Sequence, residues 1–253
     1  MTLQLRPVLW LGFFAVILGA WWVMFAMARG AGLDVLGRPG AMHGMGMAPM
    51  TGFATLAGMW AVMMAAMMLP TLVPTLRSYE DLMVSADATR AGWLGVILGY
   101  LAVWIGAALL FAGAQVALLA AGAVDALGLA TSVWIAAGLL FGVGLYQFSH
   151  LKQMCHTVCQ APMMYFLGHW RTGFGGGLRM GVPLGFYCVG CCWGYMALGF
   201  VGGVMNLAWM GLATVVMVIE KLPQIGAFVT RPMGVALMMA AVGLIAARAA
   251  AWI

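Results

Sequence analysis

Sulfur carries most of the chemistry this sequence offers. The chain has five cysteines and 24 methionines, and four local groups among them stand out. Cys188, Cys191 and Cys192 sit in Cys-Val-Gly-Cys-Cys, and on a helix Cys188 faces the same side as the other two. Cys155 and Cys159 are one helical turn apart, so two thiols share a face and can share one metal ion. Lys152 is expected to favour their thiolate form, with Met154 or His156 assisting from the flank. This spacing is not Cys-x-x-Cys, which argues against a thioredoxin-like or zinc-ribbon site, and no Cys-x-x-Cys-His for covalent haem is present. Met42, His43, Met45, Met47 and Met50 are spaced by Gly, Ala and Pro. Thioether and imidazole are soft or borderline ligands, and soft sulfur selects Cu(I). In Met59-Trp-Ala-Val-Met-Met-Ala-Ala-Met-Met-Leu-Pro70, helical spacing puts Met59, Met63 and Met67 on one face with Met64 and Met68 beside them. Pro70 and Pro74 are expected to kink or loosen the helix, and the methionine stripe beside them offers a relay for a soft cation.

Each group also has a plainer explanation. Methionine fills irregular gaps and reduced cysteine is commonly buried. Glycines 181, 185, 190 and 194 would let helices approach closely, which accounts for the glycines better than for three clustered thiols. Residues 77–91 read as a solvated polar loop. Glu220 and Lys221 suit an ion pair at a membrane interface, although an ionisable group near membrane depth is also a functional candidate. Asn206 is expected to join helices by hydrogen bonding.

The elements that must position these groups follow from composition. Hydrophobic residues make up 65% of the 253 and charged residues 7%, against about 45–50% and 25% in soluble domains. The surplus lies in long runs, so the expected fold is all-α: a polytopic transmembrane helix bundle of about seven spans. The runs cover about 7–28, 51–76, 92–121, 131–148, 180–200, 205–219 and 233–250, in a single domain. A tight hairpin is expected at Val201-Gly-Gly-Val204, an outer Met/His loop at 29–50 and an inner Cys/His loop at 149–179. The first run is longer than the apolar stretch of a cleaved signal. Counting Lys and Arg by side gives eight against three, which puts the N-terminus in the cytoplasm of a bacterial inner membrane. The net charge of +5 is spread singly along the chain, so nucleic acid is not an expected partner. No nucleotide-binding motif, no 20–50-residue repeat and no clear pair of broken helices is read.

The stretch Trp60–Thr71, the Leu151-Lys-x-x-Cys-x-x-x-Cys159 segment, Cys188-x-Gly-Cys-Cys-Trp193, Met205-Asn-Leu-Ala-Trp-Met210 and Glu220-Lys221 together resemble a bacterial family described as predicted metal-binding integral membrane proteins, a domain of unknown function. The resemblance spans about residues 50–250. It implies metal binding at Cys155, Cys159, Cys188, Cys191 and Cys192, and leaves Met42–Met50 to be judged separately. The expected function is Cu(I) binding, transport or delivery to a membrane cuproenzyme, with a copper chaperone as another partner and the lipid bilayer as solvent. Two alternatives stay open: a non-transporting assembly subunit of a larger complex, and a thiol-based redox protein using Cys155 and Cys159. Haem is a further alternative, with His43, His150, His156 and His169 as candidate ligands but no two of them placed as a pair. No catalytic residue is assigned.

Overall fold

The computed structural model describes residues 5–39, 52–83 and 89–250. Among them the chain is helical, with two isolated β-bridges and no strand. The helices are α1 (Leu5–Gly30), α2 (Phe53–Met83), α3 (Arg90–Ala120), α4 (Val133–Tyr146), α5 (His150–Gln160), α6 (Pro162–His169), α7 (Gly173–Ala197), α8 (Gly199–Gly202), α9 (Leu207–Glu220) and α10 (Gly226–Ala250). Five are long and apolar enough to cross a membrane, and α4 with α5 would make a sixth only as a pair bent by 63°.

Two of the seven expected spans therefore take another form. The run at 205–219 is a helix of 14 residues, roughly 21 Å long at about 1.5 Å per residue. That is short of the ~30 Å hydrocarbon core. The run at 131–148 stops at Tyr146. Ser149 then caps a new helix, its Oγ accepting from the Lys152 amide at 3.1 Å. A serine that offers the backbone a cap competes with continuation of the helix. The expected inner loop at 149–179 is mostly α5 and α6, and α2 runs through the expected polar loop as far as Met83. There Glu80 pairs with Arg6 at 3.0 Å and accepts from Trp10 Nε1 at 2.9 Å.

Helices α3 and α7 form the tightest seam. Glycines of one meet the backbone of the other: Gly95 meets Phe174, Gly99 meets Leu178, and Gly181 meets Val96. Small residues at one-turn spacing let backbones touch and fix the rotation of each helix. This seam holds Cys188, Cys191 and Cys192 at a set angle. The packing expectation for the glycines holds beyond the seam as well, since Gly194 lies against Val143 and Gly190 against Cys155.

Helix α2 carries Pro70 and Pro74 without a break. Pro70 has no N–H for the Ala66 carbonyl four residues back. Trp21 Nε1 of α1 donates to that carbonyl instead, at 3.0 Å. Thr71 Oγ1 and Tyr100 OH both donate to the Met68 carbonyl, at 2.8 and 3.3 Å. The helix is thus repaired by its neighbours. The turn before α9 uses Gly203 at φ 96°, a left-handed conformation that favours glycine. Asn206 caps α9, accepting from the Trp209 amide at 3.0 Å.

Substituting Gly181→Val forces a side chain into the Val96 backbone, and overpacking of this kind costs about 1–3 kcal/mol. A clear drop in detergent-solubilised melting temperature is expected. Gly142→Ala, where an added Cβ meets nothing within 4 Å, should leave it unchanged.

Candidate metal centre

The Sγ atoms of Cys188, Cys191 and Cys192 all lie within 4.8 Å of one another. Those of Cys191 and Cys192 are 3.2 Å apart. Helix α5 adds a fourth thiol, with Cys159 Sγ 3.9 Å from Cys191 Sγ. The fifth, Cys155, packs its sulfur against Gly190 of α7, where a Cβ would come within 2.5 Å. All five cysteines are free and buried. The sequence reading separated an inner pair from a mid-span triad. The bend between α4 and α5 overturns that separation, because it folds α5 back against α7 and brings Cys159 to the triad. The Tyr146 hydroxyl pins the same place by donating to the Gly190 carbonyl.

One ammonium and one phenol reach the thiols. Lys221 Nζ is 2.9 Å from Cys188 Sγ and 2.8 Å from Thr71 Oγ1. Tyr100 OH lies 2.9 Å from the same sulfur. The cation at the thiols is thus Lys221, following α9, and not Lys152 as spacing suggested. Lys152 Nζ instead pairs with Glu220 at 2.9 Å, donates to Gln147 and lies 4.8 Å over the Tyr195 ring. Glu220 Oε1 accepts from Tyr195 OH at 2.6 Å, and the Glu220 carbonyl accepts from Gln160 Nε2 at 2.9 Å. Lys152, Glu220 and Lys221 are 1%, 2% and 4% exposed. The interfacial pair or snorkelling expected for Glu220 and Lys221 is therefore replaced by two separate buried partnerships. Buried charges persist only when matched. The carbonyl end of α9 carries partial negative charge, which also favours the two lysines gathered there.

The donor set decides what the centre can hold. Three ligands about 2.3 Å from one ion sit roughly 4 Å from one another, a spacing these sulfurs already approach. Every donor in the cluster is a thiol, and the nearby carboxylate of Glu220 is engaged by Lys152 and Tyr195. Clustered soft sulfur with no free carboxylate suits Cu(I) over magnesium, calcium or manganese.

The remaining sequence candidates are distributed as follows. Met63, Met64 and Met67 are buried on α2, and Met67 lies one turn before Thr71, on the face that reaches Lys221. Met42, His43, Met45, Met47 and Met50 lie outside the described residues. His169 stacks on Tyr165 with ring centroids 4.8 Å apart, His150 begins α5, and His156 is buried on the same helix. Sequence reasoning missed Tyr100, Thr71, Gln147 and Tyr195. Their signal was a polar group inside an apolar run, which marks a buried partner in a bundle.

A family model, PpoB2, described as a copper chaperone, matches residues 57–244. No curated protein matches, and no solved structure matches. The matched region takes in all five cysteines, Thr71, Tyr100, Lys152, Glu220 and Lys221, and begins after the Met42–Met50 segment. Well over half of the sequence is covered and the family's metal is the one the thiol cluster suits, so the chain belongs to the PpoB2 copper chaperone family.

Proposed function

We propose that this chain is a membrane-embedded chaperone that holds Cu(I) on Cys188, Cys191, Cys192 and Cys159 and passes it to a copper-dependent partner. The observation that carries the reading is the closure of α5 onto α7, with Cys159 3.9 Å from Cys191 and the Lys221 ammonium 2.9 Å from Cys188. Two thiolates and one Cu(I) carry a net negative charge, and Lys221 brings the total to zero. A neutral assembly is what a low-dielectric interior tolerates.

Placement in the bacterial inner membrane is supported by the outer faces of the bundle. Only 17% of the apolar window is buried in each of Arg6–Gly30 and Phe228–Ala250. Leu11, Leu18, Trp22, Leu110 and Phe228 are each more than half exposed. Apolar surface on this scale needs lipid or protein to cover it. The excess of Lys and Arg on one side argues for a cytoplasmic N-terminus. The cluster lies roughly 15–22 Å from the Arg90, Met83 and Gly173 ends of α3, α2 and α7 when counted to Tyr100, Thr71 and Cys188 at about 1.5 Å per residue. Helices α4 and α9 end at that depth. Discontinuous helices meeting at mid-depth are a recurrent way to hold an ion inside a membrane protein. Met42, His43, Met45, Met47 and Met50 would then capture Cu(I) on the outer side, and Met67, Met64 and Met63 would line the way inward. Thioethers suit the outer role because they stay ligands where free thiols oxidise.

Purified wild-type chain, loaded with Cu(I) under reducing conditions and analysed for metal, should carry copper, and Cys188→Ser/Cys191→Ser/Cys192→Ser should carry none. Unchanged copper in the triple variant removes the centre. Cys191→Ser alone, checked for native helicity, guards against misfolding. Lys221→Met, isosteric but uncharged, should weaken Cu(I) affinity about tenfold or more in a chelator competition. Glu220→Gln leaves Lys152 facing a neutral group, and breaking a buried pair costs about 3–5 kcal/mol. Its expected effect is a lower melting temperature with copper stoichiometry retained.

A further inference from the structure

His156 has a position that holding copper on four thiols does not explain. The residue is 7% exposed, yet its Nε2 has no hydrogen-bond partner among the described residues. A buried polar atom left unmatched is costly and calls for an explanation. The same ring lines a cavity of about 530 Å³, within the range of small-molecule sites. Gln147, Gln153, Gln160, Thr230 and Arg231 form other parts of its wall. On α5, His156 precedes Cys159 by three residues, so imidazole and thiol share a helix face. Cys159 in turn touches Cys191. His156 thus borders the cavity and shares a helix face with Cys159, which touches Cys191 of the triad.

The lining says what chemistry the cavity would admit. Arg231 is its one charged side chain among the described residues, and no carboxylate is present there. A guanidinium with neutral amides is a poor site for a bare cation and a good one for an anion bearing peptide groups. We propose that this cavity is the port through which Cu(I) is exchanged as an anionic bis-thiolate complex of a small peptide thiol, with His156 taking the metal between that complex and Cys159. The proposal rests on the reading of the cysteine cluster as a Cu(I) site.

The step is a ligand exchange with no change of oxidation state. The His156 Nε2 lone pair adds to copper and one peptide thiolate leaves. Cys159 then binds as thiolate, and its proton goes to the departed thiolate to give a free thiol. Cys191 binds likewise as the second peptide thiolate leaves and takes its proton, and His156 is released. One anionic complex and two protein thiols become one anionic protein-bound copper and two free thiols. In the tautomer protonated at Nδ1, the unmatched Nε2 has the lone pair this sequence needs.

The test uses the full chain in detergent and follows copper uptake by stopped flow from two donors, the Cu(I) glutathione complex and cationic Cu(I) acetonitrile. His156→Gln, which keeps bulk and polarity, should slow uptake from the glutathione complex at least about tenfold while equilibrium stoichiometry stays at the wild-type level. His156→Cys, a softer ligand, should restore the rate. Arg231→Glu should slow uptake from the anionic donor and not from the cationic one. Wild-type rates in His156→Gln, lost equilibrium copper in that variant, or equal slowing from both donors in Arg231→Glu would each overturn the port. Failure of the wild type to hold copper from either donor would instead overturn the copper reading itself.

Discussion

The arrangement depends on charges buried where water cannot reach them. Lys152, Glu220 and Lys221 lie within a few per cent of complete burial, and each has a dedicated partner: Lys152 with Glu220, Lys221 with Cys188 and Thr71. Removing any one would strand another. The positions of α5, α7 and α9 are therefore tied together at one depth. A thiol beside a buried ammonium is also no longer an inert packing residue, because the cation offers the counter-charge a thiolate requires.

The rest of the bundle serves that constraint. The glycine seam between α3 and α7 leaves little freedom in how α7 is rotated, so its thiols keep their direction. Trp21 fills the gap left by Pro70 at the Ala66 carbonyl, and Thr71 and Tyr100, which both bond the Met68 carbonyl, reach the centre. Helix α9 stops short and presents its carbonyl end to the lysines, and α4 yields to α5 at Ser149, turning Cys155 and Cys159 inward. Function and fold share the same interruptions: an unbroken seven-span bundle would have carried these two cysteines away from the triad.

How much of this was legible in the sequence varies with the kind of information. Composition and run length gave the all-helical class, because 7% charge cannot cover a soluble surface. The spacing of Cys188, Cys191 and Cys192 gave their shared face, since helical geometry is local. The joining of Cys159 to Cys191 was not legible, because it depends on a 63° bend between helices whose direction no local pattern specifies. Ser149 was the available sign, a capping residue where the run ended. The same limit misassigned Lys152. Its nearness to Cys155 in sequence suggested a thiolate partner, while tertiary packing gave it to Glu220 and gave Lys221, from a distant helix, to Cys188. Pro70 was read for its lost hydrogen bond, and Trp21 from another helix replaces it, a compensation no local rule contains.

The central claim is that thiols from α5 and α7 converge on one soft ion. X-ray absorption at the copper edge of the Cu(I)-loaded full chain tests it most directly. A first shell of sulfur alone, near the ~2.3 Å of a metal–thiolate bond, is the predicted result. A first shell of nitrogen or oxygen would contradict it.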